Sequence, residues 1–114
     1  MTESLTVYGF GSFFKGKTRP SDIDLLLVHR STDFASSKFA IDCKAQIKSA
    51  LPSADIVMLS QAEAESLDFL ERAKAIKLAN VSVESMDADV RALASRLLRR
   101  WLRRKESTHS ASPK

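Results

Sequence analysis

The segment from Ile23 to Val28 constrains the fold more than any other part of the sequence, because it is apolar at every position except Asp24. Such a run is typical of a β-strand that is covered on both faces rather than one that faces water. Apolar runs at residues 5–8 and 56–59 predict two further strands. A helical pattern of apolar residues over 39–51 separates the second strand from the third.

The C-terminal half is predicted to be mainly helical. Ser60 and Glu63 form a capping-box pattern at the start of a helix. Residues 76–83 either prolong that helix or form a strand. From Val90 to Leu102 apolar residues recur at helical spacing, and Arg and Lys surround this stripe. We therefore expect an α/β (α+β) fold with a small mixed sheet of three to four strands, helices packed on it and a basic C-terminal helix.

Length and composition restrict the organisation of the chain. Its 114 residues, 44% hydrophobic and 28% charged, suffice for one modest core. We expect a domain over residues 1–85, a basic amphipathic helix over 86–106 that packs on it or extends it, and a disordered tail over 107–114. A single cysteine excludes a disulfide framework. Because no apolar run is long enough to cross a membrane and no export signal is evident, we expect a cytoplasmic protein.

Two patterns overlap between Gly11 and Asp24, and they predict different sites. Residues 11–18 match the phosphate-binding loop G-x-x-x-x-G-K-[ST], which follows a strand and opens a helix. A strand-like run follows here instead of a helical pattern, which disfavours that interpretation. The second pattern is Gly11-Ser12, nine residues, and then Asp22-Ile-Asp24. We favour this second pattern.

The Asp22-Ile-Asp24 pair predicts a metal site. Residues i and i+2 of a strand project from the same face, so both carboxylates reach one small volume. Their charges would repel each other without a cation, and Mg²⁺ prefers carboxylate oxygens as ligands. Asp55 begins the next apolar run. If the two strands are neighbours, it completes a two-metal site of the kind that supports phosphoryl transfer.

The turn before these acids is predicted to bind phosphate. Gly11 allows backbone amides to approach phosphate oxygens closely, and the Ser12 hydroxyl can donate to one of them. Lys15, Lys17 and Arg19 lie in the same loop. They either neutralise part of the charge of a triphosphate or simply solubilise the loop.

Together, Gly11-Ser12, the spacer, Asp22-Ile-Asp24 and Asp55 resemble the signature of the DNA polymerase β-type nucleotidyltransferase superfamily. The phrase Ser-Asp-Ile-Asp-Leu-Leu-Leu-Val and the short chain are similar to its minimal nucleotidyltransferase branch, and the resemblance covers residues 7–60. It implies the nucleotidyltransferase fold, with Ser12 holding the triphosphate, Asp22 and Asp24 binding Mg²⁺, and Asp55 binding the catalytic ion and acting as base. Members usually carry a helix before the first strand, which has no counterpart in residues 1–4.

Many proteins of that branch are antitoxins that are paired with a HEPN-domain ribonuclease toxin, and some transfer AMP from ATP to a tyrosine of the toxin. The resemblance therefore implies transfer of a nucleoside monophosphate, AMP from ATP in the first place, to a hydroxyl group on a partner protein such as a HEPN-type toxin. Two alternatives stay open. One is a weakly active or inactive antitoxin-like subunit that neutralises its partner by direct contact. The other is a nucleic-acid-binding module that uses the Arg-rich helix.

Overall fold

A single four-stranded sheet organises the protein. The computed structural model describes residues 3–16 and 22–111. Strands β1 (Ser4–Phe10), β2 (Ile23–His29), β3 (Ala54–Ser60) and β4 (Ile76–Ser82) lie in the order β3-β2-β1-β4. β2 and β3 are parallel, whereas β1 is antiparallel to both of its neighbours. The mixed sheet confirms the predicted fold class, and residues 76–82 form a strand.

Two long helices cover one face of this sheet. Helix α1 (Phe34–Ala50) connects β2 to β3, as a parallel pair requires. It begins at an N-cap, where the Asp33 carboxylate accepts a hydrogen bond from the Ser36 N–H at 2.9 Å. Helix α4 (Met86–Ala111) follows a short 3₁₀ turn (Val83–Ser85) after β4. Both helices contribute to one core, in which Val7, Leu25, Ile47 and Leu93 are at most 1% exposed.

Two short helices cover part of the opposite face. Helix α2 (Gln61–Leu67) has the predicted capping box: the Glu63 N–H donates to Ser60 Oγ at 3.1 Å, and the Ser60 N–H donates to Glu63 Oε1 at 2.8 Å. The helix does not continue, because Asp68 adopts a left-handed conformation with φ of 53°, which Asp tolerates better than most residues. Helix α3 (Phe69–Arg72) then packs Phe69 edge-on against Phe10.

Helix α4 differs from the prediction in two ways. It is assigned to Ala111, past the expected helix end at residue 106, because a helix that is already nucleated extends by one hydrogen bond per residue. Its apolar stripe is also narrower than expected: Leu97 and Trp101 are buried, but Leu98 and Leu102 are 41% and 54% exposed. Within the described part of the chain, no helix has both the length and the apolar character that a bilayer crossing needs.

Candidate metal centre

Three carboxylates converge at one end of the sheet. Asp24 in β2 is the register partner of Asp55 in the parallel strand β3, so both side chains project from the same face. Asp22 lies two residues before Asp24, and its carboxylate belongs to the same cluster. One oxygen from each of the three residues lies within 4.8 Å of the other two. The structure thus brings together all three of the predicted acids, in an arrangement that can hold a metal ion.

The electrostatics of this cluster favour a cation. Asp24 is half-buried, whereas Asp22 and Asp55 are exposed. Burial raises the pKa of Asp24 above its ordinary value of 3.8, and the nearby charges of Asp22 and then Asp55 raise it further. Each of these causes makes the ionised form of Asp24 less favourable. A bound cation would relieve the repulsion and supply the solvation that burial has removed.

The turn after β1 lies directly against Asp24 of this cluster. Gly11 has a φ of 81°, a conformation that favours glycine. A Cβ atom built on Gly11 would overlap Asp24 Oδ2 and lie 3.2 Å from Asp24 Cγ. Only a glycine therefore lets the Asp24 carboxylate lie against the backbone of the turn. Gly11 thus lies against Asp24, and Ser12 is the next residue of the same turn.

Backbone hydrogen bonds close the turn itself. The N–H groups of Phe14 and Lys15 both donate to the Gly11 carbonyl at 3.2 Å, and the Lys15 N–H also donates to the Ser12 carbonyl. Ser12 is half-buried and Lys15 is exposed, so both side chains remain close to solvent. Lys17 and Arg19, which were also predicted to bind phosphate, lie outside the described residues.

The alternative phosphate-binding loop finds no support in this geometry. Residues 12–16 form turns, and the next described element is β2 rather than a helix. The amides that hold phosphate in such a loop belong to the first turn of the helix that follows it. The described part of the chain has no helix in that position.

Two phenylalanines anchor the turn to the core, which the sequence reasoning did not anticipate. Phe13 is fully buried, and its ring meets the ring of Phe14 edge-on at 5.0 Å between centroids. The Arg100 guanidinium of α4 lies 5.2 Å and 5.3 Å from the centroids of these two rings. Phe13 also lies 5.9 Å from Trp101. Two adjacent apolar residues inside a glycine-bounded turn were the signal that could have revealed this anchor.

A groove of about 690 Å³ lies on the same face of the sheet as the acids. Thr6 and Tyr8 form its floor, because alternate residues of β1 share one face. Three acids from the α2–α3 region, Glu65, Asp68 and Glu71, stand along it. The sequence reasoning missed this groove, although the alternation of β1 already placed Tyr8 on the same face as Asp24.

Comparisons with known proteins return no match. No family model, no curated protein and no solved structure is similar enough to this chain to be matched. The resemblance to the nucleotidyltransferases therefore depends on Gly11, Ser12, Asp22, Asp24 and Asp55.

Proposed function

We propose that the protein is a Mg²⁺-dependent nucleotidyltransferase that transfers AMP from ATP to a hydroxyl acceptor. The observation that carries the proposal is the convergence of three carboxylate oxygens within 4.8 Å, next to a Gly-Ser turn. Neither feature alone is specific, since exposed acidic groups are common. Their combination at one end of the sheet is what phosphoryl transfer requires: a site for metal ions and a backbone cradle for phosphates.

The residues at the site suit Mg²⁺. The cluster consists only of carboxylates, which are the oxygen ligands that a hard divalent cation prefers. Asp24 would hold the ion most rigidly, because it is the half-buried member and lies against Gly11. Asp22 and Asp55 would complete the ligand set. When bound, the ion supplies charge neutralisation at the phosphates and makes a coordinated hydroxyl more acidic.

The chain's own groups would bind and orient the triphosphate. The Ser12 hydroxyl would donate a hydrogen bond to a phosphate oxygen, and Lys15, which is exposed in the same turn, would contribute positive charge. The groove lined by Glu65, Asp68 and Glu71 repels a triphosphate. We therefore place the nucleotide phosphates at the turn and the acceptor on the groove side.

The transfer itself is an in-line displacement. The acceptor oxygen forms a bond to the α-phosphorus, and the bond between that phosphorus and the oxygen leading to the β-phosphate breaks. Asp55, which is exposed, accepts the proton of the acceptor hydroxyl. Pyrophosphate leaves with the electron pair of the broken bond. The products are AMP joined to the acceptor and free pyrophosphate.

A protein hydroxyl is the proposed acceptor class. An acid-lined groove of about 690 Å³ suits a basic polypeptide segment better than it suits a phosphate-rich nucleic acid. A HEPN-type toxin is the partner that the sequence resemblance suggests.

The test is transfer of label from α-³²P ATP in the presence of Mg²⁺ and the product of the neighbouring gene. Label should appear on the partner protein with the wild-type chain and disappear with Asp22→Asn, Asp24→Asn or Asp55→Asn. Asp87→Asn is the matched control, because Asp87 is an exposed acid on α4 outside the cluster. It should transfer label like the wild type.

Calorimetry separates the metal site from the choice of acceptor. Titration with Mg²⁺ and a non-hydrolysable ATP analogue should give saturable binding that Asp24→Asn removes. Equal heats from wild type and Asp24→Asn would contradict the proposal, whatever the partner protein.

A second candidate function has one observation in its favour. Leu98 and Leu102 are exposed on consecutive turns of α4, and an apolar pair of this kind beside many cations suits contact with another protein. An antitoxin-like subunit would use this surface without catalysis. A stable complex with the partner that survives Asp24→Asn and shows no label transfer would favour it.

A further inference from the structure

Apart from the acidic cluster, the molecule has a concentration of positive charge on α4. Residues 91–105 contain seven of the chain's 18 Lys and Arg residues and no acid, so the rest of the chain carries a net charge of about −3 against +4 for the whole. Positive charge concentrated on one helix is typical of a surface that binds a polyanion.

Four of these arginines line one cleft. The cleft has a volume of about 280 Å³, and it lies between α4 and the edge strand β4. Positions 96, 99, 100 and 103 follow the helical repeat, so their side chains form one row. Among the side chains described up to residue 103, the lining contains no acid; it consists of Leu78, Arg96, Leu97, Arg99, Arg100 and Arg103.

Two of the guanidinium groups are held in place by the fold. The register of β4 against β1 skips Leu78, and Arg96 Nη2 donates to the Leu78 carbonyl at 3.0 Å. The Arg100 guanidinium is fixed over the rings of Phe13 and Phe14. Arg99 and Arg103 are exposed, and among the side chains described up to residue 103 no salt bridge involves either of them. The cleft therefore combines two positioned guanidinium groups with two that are available to a ligand.

We propose that this cleft binds consecutive phosphates of a single-stranded nucleic acid. Its volume is below the range typical of sites that enclose a whole small molecule, so it suits single phosphate groups rather than a base. Guanidinium groups bind phosphate oxygens through paired hydrogen bonds. The row of arginines spans about 10 Å along the helix from Arg96 to Arg103, at 1.5 Å per residue. A row of this length suits the regularly spaced phosphates of a nucleic-acid chain.

An acidic protein surface fits the cleft less well. A protein partner on α4 would also cover the exposed apolar residues Leu98 and Leu102, and neither of them lines the cleft. The two surfaces of α4 are therefore distinct, and substitutions can address each of them separately.

The test is fluorescence anisotropy with a labelled single-stranded RNA of about 20 nucleotides, with DNA of the same sequence alongside, across a range of salt concentrations. Arg99→Gln/Arg103→Gln removes two contacts, which should lower the slope of log K against log salt by about 1.4 and weaken binding about 25-fold at 0.1 M salt. Arg72→Gln/Arg91→Gln is the matched control, because it removes the same charge from exposed arginines outside the cleft. It should leave the slope unchanged.

Competition experiments distinguish a nucleic acid from other anions as the ligand of the cleft. Inorganic pyrophosphate should displace the RNA only at much higher concentration, whereas polyglutamate should not displace it. Equal loss of binding in both double variants, or displacement by polyglutamate as effective as that by RNA, would overturn the proposal. Asp24→Asn should bind RNA like the wild type, so failure here and failure of the proposed transferase activity are distinguishable.

Discussion

Replacement of Gly11 by alanine tests the contact that joins the turn to the acids. The backbone of Gly11 has a φ of 81°, and a left-handed conformation costs alanine about 1–2 kcal/mol. The new Cβ would also overlap Asp24 Oδ2, and forcing a group into filled space adds about 1–3 kcal/mol. We therefore expect Gly11→Ala to lower the free energy of unfolding by about 2–5 kcal/mol in total.

Gly16 provides a matched control within the same turn. Its φ is 86°, and a Cβ atom there would meet no atom of the other described residues within 4 Å. Gly16→Ala should therefore show the backbone cost alone. In urea unfolding with a slope of about 2 kcal/mol per M, the midpoint of Gly11→Ala should lie about 0.5–1.5 M below that of Gly16→Ala.

A double-mutant cycle then isolates the overlap. In an Asp24→Ala background the carboxylate is gone, so Gly11→Ala should cost no more than Gly16→Ala. Equal midpoints for the two single variants would refute the reasoning. So would an extra cost of Gly11→Ala that persists after removal of the Asp24 carboxylate.

Three other predictions follow from burial. The pKa of Asp24 is raised above 3.8 in the folded state, so the folded protein binds this proton more tightly than the unfolded chain does. The free energy of unfolding therefore falls as the pH rises above 3.8. Asp24→Asn should reduce this fall and raise the Tm at neutral pH in EDTA, as measured by circular dichroism. Phe13→Ala should cost about 3–5 kcal/mol in urea unfolding, whereas Phe34→Ala, at a side chain that is 80% exposed, should change stability by less than about 0.5 kcal/mol. Burial raises the pKa of Cys43 to about 12, so a thiol reagent at neutral pH should modify it only after unfolding, and rapid labelling of the folded protein would contradict this account.

Local sequence patterns predicted the elements of the fold more successfully than their ends and their arrangement. The apolar run over residues 23–28 and the Ser60–Glu63 capping box predicted β2 and the start of α2, because both depend on near neighbours in sequence. The break at Asp68 depends on a single backbone conformation that composition does not encode. The position of β4 at the sheet edge depends on pairing with β1, which is remote in sequence.

The candidate site shows the same division. The two-residue spacing predicted that Asp22 and Asp24 converge, and they do, although Asp22 lies just before β2 rather than within it. Asp55 was predicted to join the site only if the second and third strands are neighbours. In the structure β2 and β3 are paired, and Asp55 lies opposite Asp24. The contact of Arg100 with Phe13 was not predictable, because it depends on how α4 docks on the sheet.

The parallel pairing of β2 and β3 links the site to the folding of the whole domain. Asp24 and Asp55 lie on strands whose connection runs through α1, so the two carboxylates meet only after that crossover has closed. An ion bound between them would cross-link the two ends of the segment that contains α1. Its binding free energy would add to the cooperativity of folding.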